Sequence, residues 1–357
     1  MTRTVLTPPS KPFGHNDALT GLRGFAALLV VFSHLANAGL FFDVFAGGGK
    51  LGVWIFFILS AYLMTRLYFW RDPGDTMVSY SAARIGRVLP LYFLLVIISL
   101  FFVGEEFWRY QFTDTSITAL ALLLIRAPQE LWAVPTEVQF YLCFAVLWLL
   151  AHKGIIDSYK RLAIAFAAIL ALSVAVTVAL KLSGQTLIGL NLYMHLFLLG
   201  MLAAIFEDQF DRIVEFARSK MGSFLLALTG AILLASCLPG LRLYAGIRIP
   251  SNLDLPAAVC TFVLFNLVLR HIGFLKALAT RPLVFLGDIS YGFYLIHHLV
   301  ITFAITQLSG LHWAVTSAGV IIVSMILATI SFYAFEKPMA KLVRRGIGTR
   351  KVARRAW

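Results

Sequence analysis

ALTGLRGFAALLVVFSHLANAGL, residues 18–40, is the stretch on which the architecture turns. Its apolar length is enough to cross a hydrocarbon core of ~30 Å at ~1.5 Å rise per residue. Yet it carries Arg23 and His34. A guanidinium and an imidazole are costly in hydrocarbon, and inside a span they generally mark a site or a pathway. Eleven positions make about three helical turns, so both side chains lie on one face, roughly 16 Å apart along the axis. One sits near a membrane surface and the other well inside, which points to chemistry within the bilayer.

The rest of the chain is of the same kind. Of 357 residues, 60% are hydrophobic and 13% charged, and the mean hydropathy is +0.86. A soluble domain lies nearer ~45–50% apolar and ~25% charged, so the expected class is an all-α integral membrane protein. Apolar runs at 18–39, 51–70, 88–104, 131–151, 162–181, 189–206, 222–239, 253–270, 282–307 and 312–335 predict a bundle of about ten transmembrane helices. The run 117–125 is too short to span and reads as re-entrant or interfacial. Cys143, Cys237 and Cys260 lie in apolar runs with no pairing or metal spacing, as inert core thiols do.

Charge placement sets the orientation. With both termini in the cytoplasm, 22 of the 30 Lys and Arg fall on the inner side and 6 on the outer, with Arg23 and Arg66 left within spans. The positive-inside rule favours that arrangement. Residues 1–17 then form a cytoplasmic tail, 18–336 the membrane domain, and 337–357 a basic cytoplasmic tail. Its arginine pairs suit anionic headgroups rather than nucleic acid. Ala36-Asn37-Ala38 resembles a signal-peptidase site, but His34 interrupts the apolar run before it. No P-loop, HExxH or nucleophile-elbow spacing is present, and no metal site is expected.

Depth groups the remaining ionisable residues. On this topology His34, Glu137, His195 and the pair His297–His298 reach one layer toward the outer leaflet from four helices. Singly, each histidine equally suits a structural hydrogen bond between helices; together they predict a shared cavity. Glu137 and Tyr141 are four apart and share a face. On the cytoplasmic side Arg84 and Arg87 lie one turn apart at the mouth of the third span, with Arg66 and Arg23 placed to join them. Paired guanidiniums suit phosphate oxygens, which accept bidentate hydrogen bonds.

At these residues the chain resembles the membrane-bound acyltransferase family 3. The run from Thr20 through Arg23 to His34 is similar to that family's Arg-x10-His signature. Residues 52–63, GVWIFFILSAYL, are similar to its second segment, with Trp54 where an acidic residue is common and Ala61 where Gly is usual. Arg84-x-x-Arg87-x-x-Pro90-x-Tyr92 matches its arginine motif. Trp132 through Glu137-x-Gln139-Phe140-Tyr141 resembles its Trp…Glu…Gln-Phe-Tyr block, though Pro135-Thr136 replaces the usual residues. Gly287-Asp288-Ile289-Ser290-Tyr291 running to Tyr294 and His297 resembles its late block, and Glu336-Lys337-Pro338 closes the domain.

The resemblance implies a multi-pass enzyme of the bacterial cytoplasmic (inner) membrane. Such an O-acyltransferase moves an acyl group, usually acetyl, from acyl-CoA (acetyl-CoA) to a glycan or lipid-linked sugar. In that expectation Arg84, Arg87, Arg23 and Arg66 hold the donor at the inner mouth, and its arm threads upward through a continuous passage. His34 acts as base with Glu137 stabilising the imidazolium. His297, with Tyr141 or Tyr294, stabilises the oxyanion, and His195 and His298 flank the acceptor. Direct transfer and an acyl-histidine intermediate stay equally open, as do acceptor identity, chain length and oligomeric state. The alternative is a secondary transporter or flippase for a sugar or lipid-linked glycan, since intramembrane His and Glu also build proton relays.

Overall fold

In the computed structural model, residues 6–11, 14, 16–184, 189–217, 219, 221–222, 255–270, 273–308 and 310–346 are described. The elements are α1 (Asp17–Asn37), α2 (Gly49–Tyr68), α3 (Pro73–Ser99), α4 (Thr115–Leu122), α5 (Ala133–His152), α6 (Tyr159–Leu182), α7 (Leu190–Ile205) and α8 (Glu207–Ala217). After the interval at 223–254 come α9 (Leu255–Leu269), α10 (Arg281–Gln307), α11 (Trp313–Ile330) and α12 (Lys337–Gly346). Among the described residues seven helical segments are long and apolar enough to cross a membrane, and two shorter apolar helices, at 190–205 and 257–269, accompany them. The span expected at 222–239 lies outside the described residues, as do Cys237 and the tail beyond 346.

The helix starts follow local chemistry. Asn16 caps α1, its side chain accepting from the amides of Ala18 and Leu19. Asp72 caps α3 with Pro73 in the first turn, and Pro282 opens α10, where a missing N–H costs nothing. The short run near 117–125 is the helix α4, and its trailing carbonyls at Leu124 and Ile125 accept from Gln139 Nε2.

The centre of the bundle is α1, packed between α10 and α2. Glycines permit its close approach to α10. A methyl on Gly24 would strike the backbone of Leu283 and Gly287, and one on Gly287 would fall on the carbonyl of Thr20. Small residues of this kind let membrane helices pack backbone to backbone. Gly52 does the same for α2 against Ala26 of α1. Around this crossing Leu22, Ala26, Ile58, Tyr62, Phe140, Phe197 and Leu295 are fully buried.

A polar clasp closes the bundle end at which α1 begins. Arg66 pairs with Glu207 at 3.0 Å, and Tyr62 donates to the same carboxylate. Asp211 accepts from Lys11 and from Arg270. Burial pushes the Asp211 carboxyl up, but those two cations outweigh it and hold it below its ordinary value.

Replacing Gly287 by valine should lower the unfolding stability by about 3 kcal/mol or more, because the added atoms meet backbone rather than a yielding side chain. Gly319→Ala, where a methyl meets open space, should stay within about 0.5 kcal/mol of wild type. Thermal melting of the two variants in detergent is the check.

Candidate functional site

Three histidines meet where α1 faces α10. His34 Nδ1 lies 2.8 Å from His297 Nε2, with the two rings stacked, and His298 packs against His34 at 4.7 Å between centroids. His297 is fully buried, and its Nδ1 lies 3.1 Å from the carbonyl of Phe293. A carbonyl only accepts, so the proton of the neutral His297 ring sits on Nδ1 and its Nε2 bears a lone pair. His34 Nδ1 is therefore the donor in the contact between the rings, which leaves the lone pair of His34 on Nε2. This chain fixes the tautomer that a general base requires.

A carboxylate stands beside this cluster, and it is Glu130. Its two oxygens accept from Arg109 Nε at 3.1 Å and Nη2 at 3.0 Å, and its Oε1 lies 3.5 Å from His298 Nε2. Ring nitrogens of His34 and His298 and an oxygen of Glu130 all fall within 4.8 Å of one another. Those donor types are ones a metal accepts. Arg109, however, already occupies both oxygens, and a divalent ion would add its charge beside a guanidinium in low-dielectric surroundings. The arrangement suits proton transfer better than metal ligation.

The guanidiniums gather in a second cavity, lined by Arg23, Arg84, Arg87, Ser60, Glu137, Ser290, Tyr291 and Tyr294. Arg84 is buried, with its Nε lacking a hydrogen-bond partner among the described residues. Arg23 donates to Ser290 Oγ at 3.1 Å. Glu137 accepts from Ser60 at 2.7 Å and from Tyr141 at 2.5 Å, and Arg84 lies over the Tyr141 ring. Glu336, on a π-helical turn at Ser331–Glu336, accepts from Ser331 and lies within electrostatic reach of Arg87 and Arg23.

The expected grouping therefore holds for Arg23, Arg84 and Arg87, and for His34, His297 and His298. It fails elsewhere. Glu137 and Tyr141 belong to the arginine cavity and not to the histidines, because the helical segment starts at Gln129 and carries Glu137 two turns deeper than a surface position. Arg66 is taken by Glu207 and by the carbonyl of Lys11. His195 makes no ring contact or hydrogen bond with the cluster, and its Nε2 is buried without a partner among the described residues. Glu130 was missed: in the sequence it is one acidic residue in a short polar loop, with no periodicity to give its direction.

Two cavities lie along the expected passage. The histidine cavity, of about 380 Å³, is lined by His34, Lys50, Trp54, Glu130, Trp132 and Tyr193. It adjoins the arginine cavity, and Val53 and Tyr294 line both. Tyr294 is pinned there, its hydroxyl donating to the carbonyl of Glu130 at 2.9 Å and its ring set edge-on to Phe56.

With this geometry in view, the relatives are informative. A family model described as an acyltransferase domain matches residues 16–336, and the chain belongs to that acyltransferase family. It is 26% identical to acyltransferase MdmB of Streptomyces mycarofaciens, over 88% of this chain and 87% of the relative. It is 27% identical to the putative peptidoglycan O-acetyltransferase YrhL of Bacillus subtilis, over 95% of this chain but 56% of the relative. With O-acetyltransferase OatA of Staphylococcus aureus the identity is 23%, over 90% of this chain and 57% of the relative. The chain thus spans little more than half the length of the last two. No solved structure matches it. It is a multi-pass membrane protein of this acyltransferase family.

The position of Arg66 yields a direct check. Arg66→Ala strips a buried carboxylate of its cation and should cost about 3–5 kcal/mol of stability. Arg84→Ala should melt near wild type, since among the described residues no carboxylate is paired to it. Unfolding curves in detergent separate the two.

Proposed function

We propose that this protein is an O-acyltransferase that moves an acyl group, acetyl foremost, from cytoplasmic acyl-CoA to a hydroxyl of an extracytoplasmic glycan or lipid-linked sugar. The observation that carries the reading is the pair of cavities back to back: a cluster of guanidiniums on one side of Val53 and Tyr294, and a base of fixed tautomer on the other. The names of YrhL and OatA, both O-acetyltransferases, support the chemistry.

In this reading Arg23, Arg84 and Arg87 hold phosphate oxygens of the donor, for which the unpartnered Nε of Arg84 is suited. The arginine cavity accepts the donor's arm, and its thioester reaches the histidine cavity past Tyr294, which lines both. There the acceptor hydroxyl meets His34 Nε2. The imidazole takes the proton as the hydroxyl oxygen attacks the thioester carbonyl. Collapse of the tetrahedral intermediate breaks the C–S bond, and the departing thiolate recovers the proton from His34. His297 passes no proton in this scheme; it holds the tautomer. Trp132 stacked with Tyr193 at 4.9 Å supplies a flat apolar wall of the kind a sugar ring packs against.

Purified protein in detergent, given acetyl-CoA and candidate glycans, should release free CoA thiol only when both are present. Thiol release without an acceptor, or none with any donor, refutes the reading. His34→Ala should lower kcat by about 10²–10⁴-fold with the fold intact. Arg84→Ala should instead raise KM for acyl-CoA by roughly 10-fold or more, the scale of one charge-assisted hydrogen bond.

A further inference from the structure

The base described above lacks a counter-ion in the place where one was expected. When His34 takes a proton, an imidazolium appears in a partly enclosed cavity that Lys50 also lines, where an uncompensated positive charge is disfavoured. Glu137 does not answer it, being bonded to Ser60 and Tyr141 in the other cavity. Glu130 is the carboxylate within 4.8 Å of the ring nitrogens of both His34 and His298.

The surroundings of Glu130 are built to hold it there. It lies in a short 3-10 turn, Gln129–Trp132, entered through Gln129 with φ of +44°, a left-handed backbone that a non-glycine residue adopts only where its surroundings enforce it. Tyr294 of α10 donates to the Glu130 carbonyl. Arg109 arrives on a different loop, and the next residue, Tyr110, donates to the carbonyl of Leu295 at 2.6 Å. Two tyrosine bonds to one helical turn of α10 therefore bring the carboxylate and its guanidinium together beside the histidines on that same helix. Arg109 grips both oxygens, which fixes the plane of the carboxylate and keeps it an anion. A loop salt bridge with only a structural task has no need of that register.

We propose that Glu130, clamped by Arg109 and set against His298, is the positioning residue whose negative charge compensates the imidazolium formed on His34 during acyl transfer. His298 is the spacer: its ring packs on His34, and its Nε2 faces the Glu130 carboxylate. The inference rests on the acyl-transfer reading and adds to it the group that stabilises the charged base.

The test is a steady-state series on the full chain in detergent with acetyl-CoA and an acceptor that the wild type acetylates. Wild-type turnover tests the underlying reading; the variants test Glu130. Glu130→Gln preserves size and can still accept from Arg109, but it carries no charge. Its kcat should fall roughly 10- to 10²-fold while KM for acetyl-CoA and the melting temperature stay near wild type. That is less than the ~10⁴-fold seen when a carboxylate bonded directly to a catalytic histidine is neutralised, because Glu130 acts from a longer distance. Glu130→Asp should recover part of the loss. Retention of more than half the wild-type kcat in Glu130→Gln overturns the proposal. So does a matched fall in melting temperature in both variants, which assigns Glu130 to structure alone. Stoichiometric metal in the wild type that is lost from Glu130→Gln overturns it as well, in favour of a metal site.

Discussion

Everything at the centre of this protein depends on how closely α1 can approach α10. Two backbones that meet at Gly24 and Gly287 with no room for a methyl bring the side chains beside the crossing and farther along the two helices into direct contact. Beside it, Arg23 reaches Ser290; farther along the same two helices, His34 reaches His297. Wider spacing would leave an intramembrane arginine and an intramembrane histidine each without its neighbour, at the full cost of a polar group in hydrocarbon. One steric allowance thus supports both halves of the site.

The two halves of the site meet at two side chains. Val53 and Tyr294 face both cavities, and Tyr294 is held by the carbonyl of the same residue whose carboxylate faces the histidines. For the acyl transfer proposed above, a junction lined by an aromatic and a β-branched side chain would limit the water that reaches the thioester. The transporter alternative lacks support of this kind: the ionisable groups form two separate clusters of different chemistry rather than a graded relay across the membrane.

Charge is sorted between the clusters with little waste. At the arginine cavity Arg23, Arg84 and Arg87 lie within electrostatic reach of Glu137, Glu336 and Asp288. At the histidines Glu130 is gripped by Arg109, and Lys50 lines the same cavity. Arg66 and Arg270, which share the composition of the site residues, are used up in pairing Glu207 and Asp211. A basic residue near a span therefore says little until its partner is known.

The sequence by itself determined the helical membrane class, the position of most spans, and the Arg23–His34 pair, because hydrophobic length and helical pitch are local properties that a linear pattern records. It also brought out Arg84 and Arg87, one turn apart on one helix. Only the tertiary structure decided which carboxylate stands beside the histidines, that Arg66 leaves the site, and that among the described residues His195 makes no contact with the cluster. Each of those turns on the rotation of one helix against another or on where a loop returns. Glu130 and Arg109 meet through tyrosine bonds from residues far apart in the chain, and no spacing in the sequence encodes such a meeting. Depth in the membrane follows from counting residues; direction within that depth follows from packing.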